Sequence, residues 1–288
     1  MFSRIRAILK LTRIEHSIML IIAVLASELI SNRTLPPYFI LVMSFITPIF
    51  ISMGSFAIND YFDIDVDRLN KKIDRPLVNK SISPKSAFRI AIASFFIGVF
   101  ASLFISSGAF AIALIFAILA FLYSYKLKET LLIGNIYIGL SMMIPFIYGS
   151  YVASYTISYT VIIISITVFA SGLAREIHGT IRDYKGDRKR GVKSLVKYIG
   201  VYYSAIISAF LYFIAIILSI YLFFVKSAFY HNIFYMISIG IIDVVLVYVS
   251  VIYLRKKFRT QTLFNRSRNL SLLAMGFALL IYLLVNII

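Results

Sequence analysis

Between Asn59 and Pro76 the chain reads Asn-Asp-Tyr-Phe-Asp-Ile-Asp-Val-Asp-Arg-Leu-Asn-Lys-Lys-Ile-Asp-Arg-Pro. Five of the chain's twelve acids fall within the stretch from Asp60 to Asp74. On a helix, Asn59, Asp63 and Asp67 stand at i, i+4 and i+8, with Asp60 three residues before Asp63. Four oxygen-bearing side chains then share one face, and Asp65 points elsewhere. Like charges at that spacing repel, so the arrangement weakens a bare helix. A hard divalent cation reverses the sign: Mg²⁺ is commonly held by one or two carboxylates together with substrate phosphates. A solvated acidic loop is the plain alternative for a single carboxylate pair.

A second cluster argues against that alternative. From Arg175 the chain reads Arg-Glu-Ile-His-Gly-Thr-Ile-Arg-Asp-Tyr-Lys-Gly-Asp, so Glu176, Thr180, Asp183 and Asp187 again fall on one helical face. Asp183 and Asp187 repeat the i, i+4 geometry of Asp63 and Asp67. Cations follow both clusters: Arg68, Lys71, Lys72, Arg75, Lys80 and Lys85 after the first, and Arg188 through Lys193 after the second. Carboxylates followed by Arg and Lys suit a metal-bridged diphosphate, in which the cations neutralise the remaining phosphate charge. The chemistry favoured is departure of the diphosphate. An allylic remainder needs a dry apolar pocket, and 25 Phe and 20 Tyr offer π faces to a carbocation.

The elements that must position these groups cross a membrane. The chain is 61% hydrophobic with a mean hydropathy of +0.93, far above a soluble globular protein. It divides into nine apolar runs near the roughly 20 residues a bilayer requires: 14–32, 38–59, 87–106, 108–124, 131–150, 157–175, 201–224, 232–254 and 270–288. The first run follows Arg4, Arg6, Lys10 and Arg13 but is long and is interrupted near its end by Glu28, so it reads as a retained span rather than a cleaved leader. Residues 1–13 read as a basic amphipathic lead-in lying on the membrane surface. No segment suggests a second domain, and residues 1–288 read as one unit.

There is no cysteine, and His16, His178 and His231 are too scattered for a zinc motif. The net charge of +17 does not indicate nucleic acid here. Of the 29 Lys and Arg, 27 lie in the N-terminal segment and the loops after spans 2, 4, 6 and 8, while Arg33 and Lys226 occupy the opposite loops. The positive-inside rule places the N-terminus and both acidic segments in the cytoplasm.

Other polar residues near that face carry two readings each. Arg13 and His16 begin span 1, either as interfacial anchors or at the mouth of a cavity. Lys126 and Lys128 either snorkel or bind phosphate. Asn135, about one turn inside span 5, is placed to line a cavity. Lys193 is a further phosphate candidate. The loop 255–268 reads as a membrane-facing anchor. Asp243, near the middle of span 8, is either functional or a hydrogen-bonded packing residue.

The chain resembles the UbiA superfamily of intramembrane prenyltransferases. Asn59-Asp60-x-x-Asp63-x-x-x-Asp67 is similar to its first motif and Asp183-x-x-x-Asp187 to its second. Asn70, Arg75-Pro76-Leu77, Gly134-Asn135, Gly186-Asp187, Gly191 and Ser194-Leu195 also look like family positions, and the likeness runs the whole length. It implies an all-α integral membrane bundle of nine helices around a central cavity, and Mg²⁺-dependent transfer of a prenyl group from a prenyl diphosphate to a lipophilic acceptor. Nucleic acid and protein partners are not implied.

By the same resemblance, Asn59, Asp60, Asp63 and Asp67 hold the metal–diphosphate from one side and Asp183 and Asp187 from the other. Arg75 and Lys126 or Lys128 touch phosphate. Several positions depart from the family pattern. Thr180 stands where many relatives carry a third carboxylate, the segment Asn70 to Arg75 is one residue longer, and His16 replaces an acceptor-facing Asn. Arg175-Glu176-Ile177 with Asp183-Tyr-x-Gly-Asp187 is most similar to the archaeal branch acting on geranylgeranylglyceryl phosphate. An aromatic acceptor such as 4-hydroxybenzoate is the alternative, and a transporter the distant one.

Overall fold

The computed structural model describes residues 2–130, 132–189, 194–255 and 260–287. All regular structure among them is helical. A short α1 (Phe2–Thr12) precedes α2 (Glu15–Asn32) and α3 (Tyr38–Phe62). Then come a one-and-a-half-turn α4 (Ile64–Leu69), α5 (Pro84–Leu103), α6 (Ser107–Tyr125) and a 3-10 turn (Leu127–Glu129). The remainder is α7 (Ile133–Ser154), α8 (Tyr159–Lys189), α9 (Leu195–Leu222), α10 (Ile233–Leu254) and α11 (Gln261–Leu284). Among the described residues nine of these are long and apolar enough to cross a membrane.

Local chemistry starts and stops them. Ser83 accepts from Ser86 N at 3.2 Å ahead of Pro84, Ser106 accepts from Ala109 N at 3.1 Å, and Asn232 accepts from Tyr235 N at 3.0 Å. Each satisfies an amide that the first helical turn leaves orphaned. Gly200, at φ 80°, breaks α9, a conformation that costs only glycine little. The apolar run that starts at residue 201 therefore begins just after a real backbone break.

Small residues let the helices approach. On α6 the buried positions are Ala109, Ala113, Ala117, Ala120 and Ser124, while Ile115, Ile118 and Leu122 are exposed. Small inward and large outward is the pattern of a helix whose outer face meets lipid. A Cβ on Gly98 of α5 would stand 2.9 Å from the Thr47 carbonyl oxygen of α3. On α7, a Cβ on Gly149 would stand 2.6 Å from the Val24 carbonyl oxygen of α2. Beside that contact Ser27 donates to the Phe146 carbonyl, and Ser31 bonds Ser150 at 2.7 Å.

Three sequence expectations are corrected. The helical face expected to run through Asn59, Asp63 and Asp67 is interrupted: α3 ends at Phe62, Asp63 sits at φ −89°, ψ 1°, and α4 restarts at Ile64. Like charges stacked on one continuous helix disfavour it, and Lys128 and Lys72 draw Asp63 and Asp67 to different partners. Residues 261–268, expected as an anchoring loop, are the first turns of α11, capped by Thr260. Hydropathy registers only the apolar part of that helix. Finally, α1 does not simply lie on a membrane surface, since its Ala7 and Leu11 are buried in a cluster with Ile58 of α3 and Leu77.

Candidate active site

The first acidic segment is folded into a network of cations. Asp60, only 2% exposed, takes Arg13 and Arg75 on the same Oδ1, each at 2.7 Å. Arg13 also stands 4.6 Å over the Phe56 ring. Asp63 takes Lys128 at 2.5 Å and the Asn59 amide at 3.0 Å. Asp67, nearly buried, takes Lys72 at 2.7 Å, with Arg75 Nε 4.0 Å from its other oxygen. Asp65 is exposed and turned aside to Arg68. Lys128 comes from the loop after α6 and Arg13 from the turn before α2, so three separate segments converge on one end of the bundle.

The second cluster lies on the unbroken helix α8. Arg182 clasps Asp183 through Nε at 2.7 Å and Nη2 at 2.5 Å. Asp183 is thus engaged by its own neighbour and is half exposed. Lys193 and the side chain of Asp187 lie outside the described residues. The two clusters share a neighbour: Tyr123 of α6 stands within electrostatic reach of both Glu176 and Asp63. Tyr123 in turn stacks on Tyr137 of α7, with ring centroids 4.4 Å apart.

Below the network lies a cavity of about 570 Å³, its wall mostly carbon. Arg13, His16 and Asn59 stand at its charged end, with the Tyr123–Tyr137 pair beside them. The other end is lined by Ala215, Ser219, Asp243 and Tyr282. His16 packs against Phe56 with centroids 5.1 Å apart. Asp243 accepts from Ser219 at 2.9 Å, and Tyr235 bonds the Ser219 carbonyl at 2.7 Å. The carboxylate of span 8 is therefore both hydrogen-bonded and part of the cavity wall.

Asn135 lies outside the cavity lining, and its Nδ2 is buried without a partner among the described residues. The cavity face of α7 runs through Tyr137, Ile138, Ser141, Met142 and Pro145; position 135 shares the stripe of Ile138 and Met142 but lies ahead of Tyr137, the first of α7 to line the cavity. Lys126 forms no ion pair among the described residues. Sequence reasoning missed Arg182 as a partner of Asp183, because adjacent residues on a helix do not ordinarily face each other. It also missed the Tyr123–Tyr137 pair, for which no spacing signal exists across separate helices.

The donors present suit a hard divalent cation. They are carboxylate oxygens, and Asp60 Oδ2 is buried with no partner among the described residues, leaving an acceptor unspent at the centre of the segment. No three acidic or histidine side chains are gathered into a closed cage among the described residues. Mg²⁺ is usually held by one or two carboxylates together with substrate oxygens, and Asp60, Asp63 and Asp67 offer such oxygens.

An apolar cavity within membrane-length helices, opening on a carboxylate–cation network, defines a multi-pass membrane enzyme for an amphiphilic substrate. The chain belongs to the UbiA prenyltransferase family, whose profile matches residues 19–273, and it is a prenyltransferase. A digeranylgeranylglyceryl phosphate synthase of Archaeoglobus fulgidus is 34% identical over 247 residues, covering 86% of this chain and 84% of that protein. The synthase of the same name from Sulfurisphaera tokodaii is 30% identical over 247 residues, covering 85% and 87%. A solved structure described for digeranylgeranylglyceryl phosphate synthase in membranes superposes with a TM-score of 0.83 at 28% identity, covering 99% of both chains. A UbiA homologue from Archaeoglobus fulgidus, solved with GPP and Mg²⁺, shares the fold at a TM-score of 0.67 and 20% identity, covering 96% and 99%.

Proposed function

We propose that this protein transfers a geranylgeranyl group from its diphosphate to geranylgeranylglyceryl phosphate, with Mg²⁺, at the cytoplasmic face of the membrane, and that residues 1–288 act as one domain. One observation carries the reading: an apolar cavity sized for a lipid tail leads from Asp243 to a network of Asp60, Asp63, Asp67, Arg75 and Lys128. The names of the relatives above support this acceptor, and an excess of cations at the active end suits an anionic one. The cytoplasmic assignment rests on the charge asymmetry of the loops.

Asn59, Asp60, Asp63, Asp67, Asp183 and Asp187 would hold the metal–diphosphate. When bound, Mg²⁺ supplies charge stabilisation for the departing diphosphate oxygen. Arg13, Arg75, Lys72 and Lys128, now paired to carboxylates, can pass hydrogen bonds to diphosphate oxygens and neutralise them. The Tyr123 and Tyr137 rings give the carbon left behind an aromatic wall. The mostly apolar wall disfavours water beside the reacting carbon, which leaves the acceptor oxygen as the nucleophile.

Arg75→Gln is expected to raise the KM for geranylgeranyl diphosphate about tenfold or more, since a hydrogen bond to a charged group contributes ~1.5–3 kcal/mol. Asp60 keeps Arg13, so the variant folds. Initial rates against donor concentration check this. Ala215→Phe, placed at the Asp243 end of the cavity, is expected to shift preference toward a shorter donor by roughly tenfold, the scale on which apolar pockets discriminate by size. Competition between geranylgeranyl and geranyl diphosphate reads the shift.

The function itself is tested by supplying labelled geranylgeranyl diphosphate and Mg²⁺ with geranylgeranylglyceryl phosphate or with 4-hydroxybenzoate. Label in the glycerolipid supports the proposal. Label only in the aromatic acid would replace the acceptor.

A further inference from the structure

Arg13, Lys72, Arg75 and Lys128 around the first acidic segment are each paired to a carboxylate; two of the three arginines near Glu176 are not. Arg175 of α8 and Arg268 of α11 lie within electrostatic range of each other, and neither forms an ion pair among the described residues. Arg182, the third guanidinium there, is already committed to Asp183. Glu176 is near all three, yet no described cation lies within salt-bridge distance of it. Arg175 Nε is buried without a hydrogen-bond partner among the described residues, and the Tyr212 hydroxyl, 0% exposed and within electrostatic range of Arg175, has only the Ser271 hydroxyl at hand. Buried donors left unpaired are few in native proteins and call for an explanation.

Position supplies one. Ser171 and Leu272 line the cavity. Arg175 follows Ser171 by four residues and Arg268 precedes Leu272 by four, so each sits one turn from the cavity wall on the same helical face. Both turns lead toward the charged end. The charged neighbours of Arg175 are Arg268, Glu176 and Arg182, with none from the first acidic segment. Tyr123 is within electrostatic reach of both Asp63 and Glu176. Loop topology alone accounts for a cation on exposed Arg268, but not for a half-buried Arg175 with an idle Nε.

We propose that Arg175 and Arg268, with the Tyr212 hydroxyl, form a second anion site that binds the phosphate monoester of the acceptor lipid, apart from the diphosphate site at Asp60–Asp67. Glu176 sets one carboxylate against Arg175, Arg182 and Arg268, and a phosphate offsets the remaining positive charge while matching the arginine fork. Occupation of this site places the acceptor headgroup at the mouth and its tail in the cavity. Its hydroxyl then faces the donor carbon from the Tyr123 side. The identity of the ligand rests on the acceptor proposed above.

The full chain in nanodiscs carries the test, using Arg175→Gln, Arg268→Gln, the double variant and Arg268→Lys. Removing either guanidinium is expected to raise the KM for geranylgeranylglyceryl phosphate about 30-fold, the scale of a hydrogen bond to a charged group. The KM for geranylgeranyl diphosphate stays unchanged. Preference for the phosphorylated acceptor over its dephosphorylated alcohol collapses, and Arg268→Lys restores part of it. Lys226→Gln, at the far end of the bundle, serves as the control. Should Arg175→Gln fail to fold, exposed Arg268→Gln carries the same comparison. Retained preference for the phosphate, or an equal rise in both KM values, overturns the site. Titrating geranylgeranylglyceryl phosphate without donor separates the two proposals. A wild type that binds this lipid through Arg175 and Arg268 but does not prenylate it keeps the site and loses the reaction. If the wild type prenylates it while the variants bind it equally well, the site is lost and the reaction stands.

Discussion

Asp63→Ala is expected to lower kcat with geranylgeranyl diphosphate about 10²–10³-fold, the range seen when one group stabilising transition-state charge is removed. Asp63 occupies the break between α3 and α4, where its carboxylate meets Lys128 at 2.5 Å and the Asn59 amide at 3.0 Å. Its side chain is 27% exposed, so its loss opens no buried cavity and leaves Lys128 accessible to water. Stability should change by no more than about 1 kcal/mol, as for other partly exposed ion pairs. Asp63 thus separates chemistry from folding better than Asp60, whose 2% exposure and two arginines make its removal strand buried charge. Single-turnover rates and thermal unfolding of the same preparation check both halves. A wild-type rate would remove Asp63 from the chemistry.

Gly149→Val is expected to be the most destabilising single substitution proposed here. A Cβ at this position stands 2.6 Å from the Val24 carbonyl oxygen and 3.0 Å from Ser27 Cβ. Both belong to α2, and the first is backbone, which cannot swing away. To admit the valine the two helices must separate, breaking the Ser27–Phe146 and Ser31–Ser150 bonds that lie at the same contact. Overpacking of this kind costs roughly 1–3 kcal/mol and sometimes more, and lipid supplies no hydrogen bonds to the freed groups. Phe146 and Tyr148 line the cavity from this part of α7, so activity should fall with stability. Thermal inactivation and the denaturant midpoint measure it; wild-type values would mean that α2 and α7 are not packed through Gly149.

The membrane helices were largely legible because hydropathy integrates over twenty residues, and lipid-facing positions such as Phe210 and Ile241 add to it. Where polar residues continue a helix, hydropathy loses it, as at Gln261–Arg268. The face of Glu176, Thr180 and Asp183 was readable because α8 continues unbroken. The face of Asn59, Asp63 and Asp67 was readable in composition but not in shape. Its break depends on Arg13, Lys72 and Lys128, two of which lie more than forty residues away in sequence. The Tyr123–Tyr137 stack, the idle Nε of Arg175 and the placement of Asp243 in the cavity wall likewise depend on contacts between helices. No spacing within one helix encodes them.

The central claim is that the ends of α3 and α8 together hold a metal-bound diphosphate. A structure of this chain with Mn²⁺ in place of Mg²⁺ and a non-hydrolysable thiolo analogue of geranylgeranyl diphosphate tests it most directly, because anomalous scattering locates the metal. Metal is expected against Asp63 or Asp67, with the diphosphate reaching across to Asp183 or Asp187 and the tail in the cavity below. Metal and diphosphate found elsewhere, or a tail lying outside the bundle, would contradict it.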